Sequence, residues 1–557
     1  MAPTHSLRRS DLFWLALAIG LGIALRLDQL GSQLLLEDEW HAVHRVAKET
    51  PAAIFLDFGH SDSSIPLTLL YWAEAHVFGL SELAMRWPME LAGVATLVLF
   101  PWYVARHVGR GEALLLAGLL AISPLLYFFS RMARPYALTL LLVYVAHVAF
   151  RRCIQAPALR RPDALLYACS ATLAAWLHPI VAPFVVAPFV PAAWRWLRAT
   201  RDTRGGTFGR LAALALGTGI PMAALIAPPL LAHPESLGLK SGVDLPRADT
   251  LLGIWYQWFG TGSTPVVILC AALAIAGAPI VWRRLPEAGS LLAGAVLCAV
   301  AIVAARPAWI GNPQTLARYL LPILPLLLLT TACGAMRVAR WLGARTAHPH
   351  GGAVARGVAV AAAAVPLVAL SATTPLTPVL VHPNGESLHL LYEFDFRPAH
   401  NPLFAHMAAI PLSPWWSTLA ARPRGSLAIA VAPFPLDSAG WDAPRWERES
   451  RQRILSAFLT GVCATARANE VPDDRRFAFR NSVHVADASA LAARGVDYIV
   501  WQKPYRYFAP GIDVMVAVDV AACGPALRAR FGAPAYEDEW LAAYAVPKQA
   551  PDGDRSR

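Results

Sequence analysis

Long apolar segments separated by short charged connections dominate the first 380 residues of the chain. An α-helix rises about 1.5 Å per residue, so roughly 20 apolar residues cross the hydrocarbon core of a bilayer, which is about 30 Å thick. The pattern predicts about eleven membrane-crossing helices, at residues 12–30, 88–107, 112–129, 135–150, 164–180, 181–198, 211–232, 264–282, 290–305, 319–336 and 357–379.

A further apolar run, at residues 66–79, is shorter and contains Glu74 and His76. If this run lies flat in the outer interface, every arginine cluster falls on one side of the membrane, as the positive-inside rule requires. If it crosses, the basic connection at 151–161 moves to the outer side. The sequence therefore predicts an interfacial helix here, and cytoplasmic arginine clusters at 106–110, 151–161, 195–210, 283–284 and 337–356.

The composition points to the same class of protein. Of 557 residues, 56% are hydrophobic and only 15% are charged, and the mean hydropathy is +0.44, which excludes a soluble protein of this length. The formal net charge of +11 comes from arginines in short connections. Membrane topology explains that charge, so no nucleic-acid partner is implied.

From about residue 381 onward the long apolar runs disappear. The sequence predicts two domains: a transmembrane domain at 1–380, with a first external loop at 31–87, and an extracytoplasmic α/β domain at 381–557, assigned to acceptor handling or packing. In the second domain, the pattern predicts strands at 427–431, 496–501 and 541–546, helices at 447–464 and 523–531, and a solvated acidic turn at 537–539.

Two of the seven cysteines, Cys463 and Cys523, lie in this second domain. They can form a disulfide if the domain is exported, or they can be two separate buried thiols. The sequence leaves both alternatives open.

Three carboxylates, those of Glu37, Asp38 and Glu39, follow the first apolar segment directly and so emerge at the membrane surface. Taken alone, such a run is more typical of a solvated polar flank. On the predicted topology, however, several arginines lie on the same outer side, against the usual charge bias. They include Arg86, Arg134 and Arg318.

A single arginine at that position is more typical of snorkelling to lipid headgroups. Three of them opposite a carboxylate cluster indicate an anion site, because the guanidinium fork suits a phosphate. This combination fits the transfer of a sugar from a polyprenyl phosphate. Asp38 is the candidate base for the acceptor hydroxyl, and the arginines would stabilise the departing phosphate.

Several short motifs occur in a characteristic order along the chain. They are GHSDSSIPL at 59–67, FGLSE at 78–82, AMRWP at 84–88, SP at 123–124 and SRMARPY at 130–136. In this order they resemble the GT-C glycosyltransferases, and within them the bacterial relatives of protein O-mannosyltransferases and of the aminoarabinose transferase that modifies lipid A. The resemblance covers approximately residues 10–340.

The resemblance implies a GT-C fold, a polyprenyl-phosphate sugar donor, inversion at the anomeric carbon and an active site facing away from the cytoplasm. The acidic pair of the family falls on Asp38 and Glu39. Its other motif residues, expected to bind the donor phosphate, fall on Arg86, Arg131, Arg134, Tyr136, Arg318 and Tyr319.

His60, Asp62 and His178 are further candidate substrate-binding residues on the outer face. Relatives commonly place a basic residue directly before Pro-Pro-Leu, whereas His60 is separated from Pro66, which weakens its assignment. A divalent metal ion could draw ligands from the carboxylates and from His60, but their spacing is not metal-specific. The sequence leaves metal binding open.

The sequence thus predicts a multi-pass enzyme of the bacterial inner membrane, with its active site and C-terminal domain on the periplasmic side. Its partners would be a polyprenyl-phosphate-linked donor, a lipid, glycan or protein acceptor, and membrane lipids. A flippase or transporter for lipid-linked sugars and a non-catalytic envelope assembly protein remain alternatives, although no internal repeat typical of transporters is visible. An O-antigen-type ligase is a nearer rival, against which the acidic pair argues.

Overall fold

The computed structural model describes residues 8–28, 30, 37–59, 64–77, 79–80, 82–198, 201–238, 241–308, 310–346, 352–374, 412–432, 446, 449–455, 458–460, 463, 482–484, 488–493, 495–504, 506–509, 512–515 and 520–548. The helices in these ranges are α1 (Arg9–Leu27), α2 (Glu37–Lys48), α3 (Pro51–Leu56), α4 (Ile65–Val77), α5 (Glu82–His107), α6 (Arg110–Ile122), α7 (Pro124–Ser130), α8 (Tyr136–Gln155), α9 (Arg161–Leu177), α10 (Ala182–Val186), α11 (Phe189–Arg198), α12 (Arg201–Ala232), α13 (Glu235–Gly238), α14 (Ala248–Phe259), α15 (Thr264–Arg284), α16 (Ala288–Ala305), α17 (Pro313–Tyr319), α18 (Leu324–Thr346), α19 (Gly352–Thr373), α20 (Pro414–Leu419), α21 (Ala488–Ala493) and α22 (Cys523–Phe531). Short 3₁₀ turns precede α10 and α18, at Pro179–Val181 and Leu321–Ile323.

The predicted multi-pass helical architecture is confirmed. Within the described residues, nine helical segments are long and apolar enough to cross a bilayer, or ten if the bent pair α6–α7 counts as one span. Each of the eleven predicted segments overlaps a helix. The count is lower than eleven because α9 has only 17 residues and because α6 and α7 meet at an angle of 61°.

The bend between α6 and α7 falls at Ser123-Pro124. Proline has no N–H to donate to the preceding turn, so it ends α6 and starts α7 at its first position. The predicted interfacial run at 66–79 forms α4, which has 13 residues and is about 20 Å long. That length is too short to cross a bilayer core.

Glycines allow α15 and α18 to pack very closely. A Cβ atom at Gly277 would lie 1.9 Å from the carbonyl oxygen of Thr330, and one at Gly334 would lie 1.9 Å from that of Leu273. Helices in a bilayer gain little from apolar burial against each other, so close backbone approach at small residues is a main source of association.

The arginine clusters lie at one end of the helical bundle. Arg284, at the end of α15, donates to the carbonyl of Val108 after α5, and Arg340 on α18 pairs with Glu112 at the start of α6. We call this end, which also contains Arg151 at the end of α8, the arginine end. The opposite end, where α1 ends and α8 begins, is the site end.

The strands described in the C-terminal part are β1 (Ala428–Ala432), β2 (Arg453–Leu455), β3 (Phe458–Thr460), β4 (Ser482–His484), β5 (Tyr498–Gln502), β6 (Arg506–Ala509), β7 (Ile512–Met515), β8 (Tyr536–Glu537) and β9 (Leu541–Ala545). Five of them form a sheet in the order β2-β1-β5-β9-β8. Strands β1, β2 and β5 are parallel, and β9 and β8 are antiparallel to their neighbours. The pairs β3–β4 and β6–β7 form two separate two-stranded sheets.

Most secondary structure predicted for this region is confirmed: the strands at 427–431, 496–501 and 541–546 match β1, β5 and β9, and the helix at 523–531 is α22. The helix predicted at 447–464 is wrong, because β2 and β3 lie there. Ile454, Phe458 and Val462 recur at a helical spacing, but Ile454 lies in β2, which pairs with β1, and Phe458 lies in β3, which pairs with β4. Pairing with a distant strand therefore overrides the local pattern.

A disulfide joins Cys463 to Cys523 at the first residue of α22. Of the two alternatives that the sequence left open, the structure has the bonded one. The acidic run at 537–539 closes the β8–β9 turn, where Asp538 Oδ1 accepts the backbone N–H groups of Trp540 and Leu541, both at 2.8 Å.

Candidate functional site

The segment Arg131–Tyr136, which we call the 131–136 turn, joins α7 to α8 at the site end. Its first side chain, Arg131, is fully buried. Its Nη1 donates to the backbone carbonyls of Leu25, Arg26 and Asp28, at 3.2, 2.8 and 2.6 Å. The last carbonyls of a helix lack partners within the helix and favour a cation. Arg131 therefore fixes the end of α1 to the turn.

A buried ion pair joins α2 and α5 to the same turn. The Nε and Nη2 atoms of Arg86 donate to the two carboxylate oxygens of Glu39, at 2.9 and 2.8 Å. The backbone N–H of Ala133 donates to Glu39 Oε1 at 2.7 Å. Neither charged side chain is exposed to solvent. Two parallel N–H···O bonds are the strong form of an arginine–carboxylate contact. Because both side chains are fully buried, this contact offsets the cost of removing their charges from water.

Helix α4 also contacts the 131–136 turn. The hydroxyl of Tyr71 lies 2.9 Å from the carbonyl oxygen of Met85 and 3.3 Å from that of Ala133. A hydroxyl has one proton to donate, so the shorter contact is the stronger hydrogen bond. Because Met85 precedes Arg86, Tyr71 helps to position the buried ion pair.

An aromatic cluster brings together three segments that are distant in the sequence. The ring of His178, after α9, lies 5.3 Å from that of Tyr136 and 5.5 Å from that of Tyr319. The guanidinium carbon of Arg318 is 5.7 Å from the centre of the Tyr136 ring and 5.5 Å from that of Tyr319. Both distances fall within the range of cation–π attraction. The end of α17 therefore packs against the start of α8.

Most of the residues that the sequence nominates gather at the site end: Glu39, Arg86, Arg131, Arg134, Tyr136, His178, Arg318 and Tyr319. Arg134 is buried within the turn, two residues before Tyr136. Asp38 belongs to α2, but its side chain lies outside the described part of the chain. His60 and Asp62 also lie outside the described residues.

Two buried charges at this end, Arg26 and Glu90, are not among the residues predicted from the sequence. Arg26, on α1, donates to the carbonyls of Gly22, Leu120 and Ala121. Glu90, on α5, is 5% exposed, and neither of its carboxylate oxygens has a hydrogen-bond partner among the described residues. Both residues interrupt apolar segments in the sequence. That interruption was the available signal, since charges inside spans are costly and often functional.

A third glutamate of the site end, Glu74, lies on α4 and is 4% exposed. Its Oε1 accepts a hydrogen bond from the indole Nε1 of Trp87 at 2.8 Å. Burial raises the pKa of the Glu74 carboxyl above its ordinary value, and the hydrogen bond from Trp87 only partly offsets that effect.

Within the described ranges, no group of three or more His, Cys, Asp or Glu side chains is arranged to hold a metal ion. Three of the potential ligands that the sequence suggests, Asp38, His60 and Asp62, have side chains outside those ranges.

No protein-family model matches the chain, and no curated protein matches it. Among solved structures, ArnT from Cupriavidus metallidurans in the apo state matches over 97% of this chain and 98% of its own, with 13% identity and a TM-score of 0.44. The same protein bound to undecaprenyl phosphate matches with 14% identity and a TM-score of 0.42, over 96% of this chain and 98% of its own.

The archaeal oligosaccharyltransferase AglB from Archaeoglobus fulgidus, in complex with an inhibitory peptide and a dolichol-phosphate, covers 91% of this chain and 74% of its own. Its identity is 12% and its TM-score is 0.37.

Proposed function

We propose that this chain is an integral-membrane glycosyltransferase of the GT-C type, which moves a sugar from a polyprenyl phosphate to a hydroxyl of a lipid, glycan or protein acceptor. The observation that supports this proposal most is the convergence of Arg318 with Tyr136 and His178 on the 131–136 turn. Cations gathered at one end of a membrane bundle suit a phosphate carried on a lipid, which reaches the site from within the bilayer.

The donor phosphate is assigned to Arg134, in the 131–136 turn, and to Arg318, at the end of α17 beside Tyr136. Arg86 binds Glu39, and Arg131 binds the carbonyls at the end of α1. These two arginines are assigned to holding the turn in place. The preorganised guanidinium groups would stabilise the negative charge that develops on the departing phosphate.

Asp38 is assigned as the general base. Its carboxylate would take the proton of the acceptor hydroxyl, whose oxygen then attacks the anomeric carbon. The bond between that carbon and the phosphate oxygen breaks, and its electron pair leaves with the polyprenyl phosphate. Attack opposite the leaving group inverts the anomeric configuration. Glu39, which the sequence nominated as a second catalytic acid, is assigned a positioning role, because Arg86 and Ala133 bind both of its oxygens.

The site end and the C-terminal region are assigned to the side of the inner membrane away from the cytoplasm. The disulfide between Cys463 and Cys523 supports this orientation, because disulfides persist in oxidising compartments. The arginine end would then face the cytoplasm, as the positive-inside rule requires.

The test compares, by mass spectrometry, the envelope lipids, glycans and proteins of cells that carry the wild type, a deletion or Asp38→Asn. We expect a mass difference of one sugar that is lost in the deletion and reduced by about 10²- to 10⁴-fold in Asp38→Asn. Glu37→Gln, in the same acidic run, is the matched control and should retain the modification.

The mass of the lost group identifies the sugar, and the molecule that loses it identifies the acceptor. Wild-type modification in the Asp38→Asn strain would overturn the assignment of the base and favour transport or assembly over transfer. Loss of modification in Glu37→Gln alone would move the catalytic role to that neighbour.

A further inference from the structure

A cavity lies at the arginine end, at the opposite end of the bundle from the residues discussed above. This cavity, of about 650 Å³, opens between the end of α8, α11, the end of α15 and the first turns of α16. Its lining mixes apolar walls with charged groups. The glycosyl-transfer proposal uses none of these residues.

The apolar walls of the cavity suit contact with the acyl chains of lipids. Phe150, Val190, Trp194, Leu197 and Trp282 line the cavity, and all of these except Phe150 are exposed on the protein surface. Tryptophans concentrate where the hydrocarbon core meets the headgroup layer of a membrane. The cavity therefore spans the boundary between acyl chains and headgroups.

The charges at the cavity do not balance. Arg151 and Glu287, both in the lining, neutralise each other through an ion pair. Arg195 also lines the cavity, is exposed and has no partner among the described residues. Arg198, one turn further along α11, lies 4.3 Å over the Trp194 ring. The mouth of the cavity is thus positively charged.

We propose that this cavity binds an anionic phospholipid of the membrane leaflet at the arginine end. Its phosphate headgroup contacts Arg195, and part of an acyl chain lies along the apolar wall. Basic pockets between transmembrane helices on the cytoplasmic side suit acidic headgroups, because the charges are complementary and the pocket lies at the level of the headgroups. The lipid would fill the groove between α11 and α16, whose residues line the cavity.

The test uses the full-length protein in a mild detergent and native mass spectrometry. Phosphatidylglycerol and phosphatidylcholine with identical acyl chains are titrated separately, so that only the headgroup charge differs. We expect a tightly retained phosphatidylglycerol adduct and weaker binding of phosphatidylcholine. Arg195→Gln should weaken phosphatidylglycerol binding about fivefold, the effect expected for one cation near an anionic lipid, and leave phosphatidylcholine binding unchanged.

Arg337→Gln is the matched control, since Arg337 is exposed at the same end and does not line the cavity. Ala293→Phe places a bulky ring in the cavity lining and should reduce binding of both lipids. A thermal midpoint recorded without added lipid shows that each variant is folded.

Three results would overturn the proposal: equal affinity of the wild type for the two lipids, equal effects of Arg195→Gln and Arg337→Gln, or unchanged binding in folded Ala293→Phe. A glycosyl-transfer assay on the same variants separates this site from the catalytic one. The lipid site stands if lipid binding changes as expected, whether or not the chain transfers a sugar.

Discussion

The two ends of the helical bundle both hold arginine–carboxylate pairs, but they differ in how much water reaches them. At the site end, the side chains of Arg86 and Glu39 are both 0% exposed. At the arginine end, the side chain of Arg340 is 54% exposed and that of its partner Glu112 is 2% exposed. The same pair of residue types therefore has two different physical roles.

Removal of one partner has different consequences in the two settings. A buried ion left without its partner keeps the full cost of desolvation, whereas water solvates an exposed arginine that loses its carboxylate. The site end should therefore be sensitive to the loss of either partner, because both of its charges are buried. The arginine end should tolerate the loss of the carboxylate, because water already reaches Arg340.

The largest effect is expected for Glu39→Ala. Arg86 would stay buried without the carboxylate of Glu39, and the loss of stability should be about 3–5 kcal/mol. Thermal denaturation of the purified protein in detergent measures the change. The double variant Glu39→Ala with Arg86→Ala should lose less stability than the sum of the two single variants. A loss below about 1 kcal/mol in Glu39→Ala would show that the pair is not desolvated.

A much smaller effect is expected for Glu112→Ala at the other end. Arg340 loses its carboxylate, but water solvates its exposed guanidinium, and a pair with one exposed partner contributes only about 0.2–1 kcal/mol. The same denaturation assay gives the comparison, with added salt as a second variable. Higher salt should narrow the difference between wild type and Glu112→Ala, because solvent ions screen a pair that water reaches. A loss as large as that of Glu39→Ala would contradict the contrast between the ends.

The smallest effect, and one of opposite sign, is expected for Glu74→Gln. Burial raises the pKa of Glu74, so the folded state binds a proton more tightly than the unfolded state. Stability should therefore fall as pH rises from the unfolded pKa through the raised folded pKa. Glu74→Gln removes this dependence and should match or exceed the stability of the wild type at neutral pH, while the amide oxygen still accepts from Trp87.

Thermal midpoints of the wild type and Glu74→Gln across acidic to neutral pH test this expectation. The two profiles should converge at low pH, where Glu74 is protonated in both states. Parallel profiles, or a lower midpoint for Glu74→Gln at neutral pH, would show that Glu74 is ionised and stabilising in the folded protein.

Much of the fold could be predicted from the sequence because the length of an apolar segment is a local property. The same holds for β1, β5, β9 and α22. The helix expected at 447–464 failed because the partner of β2 lies far away in the chain, at β1. Local spacing of apolar residues contains no information about that partner.

The candidate site was also predicted only in part from the sequence. Motif order nominated Arg318 and Tyr136, but only the fold brings the two within 5.7 Å. Sequence could not show that Glu39 and Arg86 bind each other, and this contact changes the role assigned to Glu39. Arg26 and Glu90 are visible as charges within apolar runs. A single charge changes the apolar character of a long segment very little, so these two residues were not predicted as part of the site.

The aromatic cluster at the site end has a consequence for biosynthesis. Its rings come from Tyr136, His178 and Tyr319, so the ribosome makes the first long before the last. At roughly 5–20 residues per second, Tyr319 emerges roughly 10–40 seconds after Tyr136. During that interval, the early helices reside in the bilayer without the segment that completes the aromatic cluster. A nascent chain that stops before α17 should therefore insert and yet lack the contacts of Arg318 and Tyr319, so the cluster forms only after α17 has been made.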